Sequence, residues 1–96
     1  MPGKKKKENV KRRRVTMKLE APRAKEVILM GDFNKWNAKI HPMKRTKGDV
    51  WEKIVMLLPG RYEYKFLVDG HWWTDPKNDQ VCHNCFGTQN NVMTIG

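Results

Sequence analysis

Pro59-Gly60-Arg61-Tyr62-Glu63-Tyr64-Lys65-Phe66-Leu67-Val68-Asp69-Gly70-His71-Trp72-Trp73-Thr74 decides the fold. Successive strand residues point to opposite faces, so Tyr62, Tyr64, Phe66 and Val68 share one side. That aromatic side has to be core. Arg61, Glu63, Lys65 and Leu67 then occupy the other, more accessible side. Asp69-Gly70 is a strong hairpin signal of the type that needs positive φ at both central residues. His71-Trp72-Trp73-Thr74 is read as the returning strand, and its two adjacent indoles cannot both enter one core.

Working outward, Pro59-Gly60 is a tight turn from a strand starting near Val50 and running to Leu58, of unclear register. Val15, Met17 and Leu19 alternate with Thr16, Lys18 and Glu20 as in a half-buried strand. Val27 to Met30 is a short apolar run bounded by Gly31. Asp75 to Gln89 reads as a long loop before a last strand, Asn91 to Ile95. No segment shows sustained helical periodicity. Short strands joined by Gly, Pro, Asn and Asp turns predict an all-β, antiparallel sandwich.

The chain has 96 residues and a formal charge of +10, so one domain is expected. The charge is uneven: eight basic side chains against Glu8 alone give residues 1–14 a net of +7. The remaining 12 basic and 9 acidic residues leave a net of +3. Residues 1–14 are therefore expected to be a disordered basic tail, and residues 15–96 the folded module. The tail suggests either a solubilising arm or contact with an acidic partner, nucleic acid or an anionic surface. No stretch reaches the roughly 18 apolar residues of a membrane span. With two cysteines and no apolar segment after the basic start, the expected compartment is the cytoplasm.

Catalytic chemistry is thinly supplied. The sequence contains no serine, no Gly-rich phosphate loop and no nucleophile elbow. Asp32, Asp69, Asp75 and Asp79 could furnish paired carboxylates, yet Asp69 and Asp75 sit in turn contexts where aspartate bonds its own backbone. Cys82-His83-Asn84-Cys85 is half a zinc site at most, and is read as a structural loop, with metal or redox chemistry the alternative. Neither enzyme activity nor a cofactor or metal is expected.

Four tryptophans are many for so polar a chain. Trp51 is read as core. Trp36 lies in the polar loop Asn34-Lys35-Trp36-Asn37, where packing and exposure are both open readings. Exposed indoles beside Asn and Lys suit a sugar, because a pyranose ring offers an apolar C–H face and a rim of hydroxyls.

Gly31-Asp32-Phe33-Asn34-Lys35-Trp36, the stretch from Pro59 to Trp72, and Phe86-Gly87-Thr88-Gln89-Asn90-Asn91 together resemble carbohydrate-binding module family 48. Its members are early-set, immunoglobulin-like domains and include the glycogen-binding domain of the AMP-activated protein kinase beta subunit. The resemblance covers residues 15–96. It implies binding of α-1,4-linked glucans (glycogen, starch, malto-oligosaccharides) on a platform made by Trp36 and Trp72. It further implies hydroxyl contacts from Lys65 and Asn90, and an apolar residue, Phe86, reaching across the glucan. Trp73 is then expected to turn inward or cover an edge. The cysteine loop and the basic tail depart from the family pattern. Since the chain stops at Gly96, neither a kinase-assembly segment nor a catalytic barrel is expected to follow. The competing readings are a protein-interaction or regulatory domain working through the tail, and an accessory domain of an amylolytic enzyme.

Overall fold

The aromatic alternation becomes the centre of the molecule. The structure, a computed structural model, describes residues 11–84 and 86–96. Among the described residues eight strands follow in chain order: β1 (Arg13–Glu20), β2 (Val27–Gly31), β3 (Lys44–Arg45), β4 (Val50–Leu57), β5 (Gly60–Val68), β6 (His71–Trp73), β7 (Val81–His83) and β8 (Gln89–Ile95). All pairings are antiparallel. One sheet runs β1-β4-β3. The other runs β2-β5-β8-β7, with β6 beside the C-terminal half of β5.

Strand β5 organises the second sheet because it is long enough to have two neighbours on one flank. Its first half pairs with β8, from Gly60↔Ile95 to Tyr64↔Asn91, and its last residues pair with β6, from Phe66↔Trp73 to Val68↔His71. On its other flank lies β2. Tyr64, Phe66 and Val68 are buried against Val27 and Leu29 of β2, and against Met17, Leu19, Trp51, Val55 and Leu57 of the facing sheet. This is the two-layer sandwich expected from the sequence, with alternate inward residues of both sheets meeting in one core. Asp69 and Gly70 have φ of 49° and 84°, as the predicted hairpin turn requires. The Asp69 carboxylate accepts from the backbone N–H groups of Lys25 and Glu26, so the turn is also tied to the start of β2.

Four features differ from expectation. Strand β1 begins at Arg13, so Arg13 and Arg14, assigned to the tail, pair instead with Leu57 and Met56 of β4. Their charge did not prevent this, because both side chains point to water while the backbone completes the ladder. The expectation of disorder for residues 1–10 falls outside the described residues. Next, the supposed loop from Asp75 to Gln89 contains β7, and the last strand starts two residues early, at Gln89. A three-residue strand carries too short a pattern to be read from alternation. Lys44–Arg45 likewise adds a short edge strand on β4.

Candidate glucan-binding groove

The face of β5 opposite the core is built on Glu63, Lys65 and Leu67. Trp72 stands across from Leu67 in the β5–β6 pairing, which sets its indole beside Lys65. The Lys65 Nζ lies 5.8 Å from the Trp72 ring centroid, a cation–π contact. Trp36 arrives from a different part of the chain. Its ring meets Trp72 edge to face, with centroids 6.1 Å apart and planes inclined at 68°. Asn90 follows the same face by alternation from Val92, which pairs with Glu63. The turn between β7 and β8 supplies Asn84, Phe86 and Thr88. Together these residues line one groove of about 570 Å³. All five candidates from the sequence, Trp36, Lys65, Trp72, Phe86 and Asn90, are thereby brought together.

Trp36 is held there by a strained loop. Lys35 and Trp36 both adopt left-handed backbone, with φ of 55° and 57°, which costs an ordinary residue about 1–2 kcal/mol. The buried Asn34 offsets that cost. Its Oδ1 accepts from the N–H groups of Gly31 and Trp36, and its Nδ2 donates to the Leu29 carbonyl and to His41 Nδ1. The indole Nε1–H of Trp36 donates to Asp32, whose second oxygen accepts from the Glu63 N–H. Asn34 was read from the sequence only as part of the Gly31–Trp36 motif, with no role of its own; a small amide just after Gly-Asp is the local signal for one.

Lys65 corrects an expectation. It lies on the predicted face, but only 6% of it is exposed, and its Nζ sits between the Trp72 ring and Thr88. Burial pushes its pKa below the ordinary lysine value, and its Nζ donates to Thr88 Oγ1 at 3.2 Å. Asn90 is also buried, 7% exposed. Its Nδ2 donates to Glu63 and its Oδ1 accepts from Asn84, both at 3.0 Å, which among the described residues uses one of its two N–H groups and one of its two lone pairs. Asn91, its neighbour, points the other way and is fully enclosed, fastening the Asp75–Asn78 segment through bonds to Asp75 N–H and the Asn78 carbonyl. Trp72 and Phe86 are open, at 52% and 85% exposure. Trp73 faces the opposite side, 41% exposed at the sheet edge beside Ala21, Pro22 and Ala24. Asn84 and Thr88 are groove residues that sequence reasoning missed, since the turn carrying them was taken for an extended loop.

The carboxylates weighed for catalysis have structural partners. Asp32 and Asp69 are engaged as described, Asp75 accepts from the Tyr64 hydroxyl and the Lys77 N–H, and Asp79 accepts from the neighbouring Gln80 side-chain amide. No group of three or more His, Cys, Asp or Glu side chains suited to a metal occurs among the described residues. Cys82 lies on β7 beside Arg61 and Glu63, a strand position and not the loop expected; Cys85 is outside the described residues. No helix among the described residues is long and apolar enough to cross a membrane.

A family model described as the glycogen recognition site of AMP-activated protein kinase matches residues 14–96. Over 72 residues, 75% of its length, the chain is 40% identical to Protein FLOURY ENDOSPERM 6, chloroplastic, of Oryza sativa subsp. japonica, covering 13% of that protein. Over 71 residues it is 39% identical to the 5'-AMP-activated protein kinase subunit beta-2 of Homo sapiens, covering 25% of that subunit. The chain thus spans a quarter or less of these two relatives. The fold also superposes on a crystal structure of maltogenic amylase from S. marinus, with a TM-score of 0.74, 22% identity, and coverage of 88% of this chain and 14% of that one. At that identity the likeness is one of fold.

Proposed function

The chain belongs to the family of the glycogen recognition site of AMP-activated protein kinase, and from that membership we propose that its groove binds α-1,4-linked glucan chains reversibly, without chemical change. The observation that carries this reading is the pair of indoles, Trp36 against Trp72, with the Lys65 ammonium at their side. Glucose units stack their C–H faces on the rings, and desolvation of that aromatic area supplies most of the energy. Lys65 and the remaining valences of Asn90 bond sugar hydroxyls. Phe86 closes on the glucan from the opposite lip, losing exposed apolar area as it does so.

Tryptophan fluorescence titration with a linear malto-oligosaccharide and with β-cyclodextrin tests this. Saturable binding is expected in the wild type. Trp36→Ala is expected to lose about 2 kcal/mol or more, roughly 30-fold in affinity. A wild type without any response rules the reading out.

An acidic protein or nucleic acid at the basic tail is a separate proposal, tested by pull-down with residues 1–10 deleted. A role as accessory domain of an amylolytic enzyme has only likeness of fold behind it. The cytoplasm is the compartment this reading favours. A fluorescent fusion distinguishes it from the plastid indicated by the name of the rice relative.

A further inference from the structure

We propose that Asn84 is a positioning residue, the side chain that frames the lip of the groove and thereby fixes where Phe86 and Asn90 meet a bound glucan. This rests on the glucan reading above. The turn between β7 and β8 closes on the His83↔Gln89 pair. Inside it the Asn84 N–H donates to the Thr88 carbonyl, and the Gly87 N–H donates to the Asn84 carbonyl. The Asn84 side chain then fills the turn. Its Oδ1 accepts from the N–H groups of Phe86 and Thr88, at 2.9 and 3.2 Å. Its Nδ2 donates to Thr88 Oγ1 at 2.7 Å and to Asn90 Oδ1 at 3.0 Å. Two donors and two lone pairs are all that a primary amide has. None is left for a sugar, so Asn84 acts through its neighbours.

The direction of these bonds is dictated from outside the turn. The Arg61 guanidinium donates to Glu63, and the Glu63 carboxylate can only accept, so Asn90 must present its NH₂ group to it. The Asn90 Oδ1 then faces Asn84, which must answer with its own NH₂, turning Oδ1 to the backbone of Phe86 and Thr88. One carboxylate thus orients two amides in series. Phe86 also needs such a frame, because a ring 85% exposed has almost no packing of its own to hold it.

The test is malto-oligosaccharide titration of the wild type, Asn84→Ala, Asn84→Asp, Asn84→Gln, Phe86→Ala and the double variant Asn84→Ala/Phe86→Ala. Asn84→Ala is expected to weaken binding about tenfold, the loss typical of a residue worth more than 1 kcal/mol at an interface. The double variant is expected to bind no more weakly than the worse single one, since the two residues act as a unit. Aspartate keeps the oxygen that accepts from Phe86 and Thr88 but sets a second oxygen against Asn90 Oδ1, where the Nδ2 donor stood, and is expected to recover none of the loss. Glutamine, with the same amide one methylene further out, does not recover it either. The near-isosteric aspartate variant decides the matter if Asn84→Ala fails to fold. Losses that multiply in the double variant overturn the inference, as does aspartate binding as well as the wild type. Those results leave the glucan reading intact, whereas a wild type that fails to bind overturns both.

Discussion

Gly31 illustrates how little latitude a single residue has beneath the groove. Its backbone is extended and any residue could adopt it, but a Cβ there meets the Phe33 ring at 2.6 Å and the Glu63 carbonyl oxygen at 2.7 Å. The ring can swing aside; the carbonyl belongs to β5 and cannot move without breaking the sheet. Gly31→Ala is therefore expected to destabilise the fold by about 1–3 kcal/mol, as overpacking does, measured by urea unfolding. Glu63 offers a prediction in pH. The Asn90 amide first, then the Cys82 thiol and the Arg61 guanidinium, hold its carboxyl below the ordinary value of 4.5. A carboxylate with a lowered folded pKa contributes stability that is complete above the ordinary value and is lost as pH falls through the folded one. Glu63→Gln is expected to flatten that acid limb in a series of thermal melts. An acid limb as steep as in the wild type removes Glu63 from the account.

At the scale of elements, period-two alternation was legible wherever it ran long. The core face of β5 and the Asp69-Gly70 turn could be read directly, because one apolar face against water imposes a pattern visible in the residues themselves. Two-residue β3 and three-residue β7 could not, since their pairing is imposed by neighbours. The candidate site divided in the same way. Lys65 was legible through alternation, which left open which of Trp72 and Trp73 faces out, and all five candidates through resemblance; the near-complete burial of Lys65 was not legible, because no pattern in β5 itself encodes it. The framing roles of Asn34, quoted only as part of a motif, and of Asn84 were illegible because an asparagine reads the same whether it bonds water or fills four valences inside a loop. The start of β1 matters practically. Deleting residues 1–10 is expected to leave the thermal midpoint unchanged, whereas deleting residues 1–14 removes the Arg13↔Leu57 and Arg14↔Met56 pairs and lowers it. Equal midpoints for the two truncations count against this account of β1.

For the whole molecule, the uneven charge separates the two proposals. The glucan proposed for the groove is neutral, whereas the acidic partner proposed for the tail would meet the net of +7 over residues 1–14. Raising the salt shortens the Debye length from about 10 Å at 0.1 M to about 3 Å at 1 M. Malto-oligosaccharide affinity is expected to hold across that range, and any tail-dependent association to fall steeply. A glucan affinity that collapses with salt argues for a charged contact in the groove.

The dipeptide Trp72-Trp73 straddles β6, one indole in the groove and the other on the reverse side of the sheet, with Trp51 sealed in the core and donating to the Ala21 carbonyl. The protein therefore carries its own spectroscopic contrast. A collisional quencher such as acrylamide reaches Trp72 and Trp73 alike in solution, but a glucan bound as proposed shields Trp36 and Trp72 and leaves Trp73 as an internal reference.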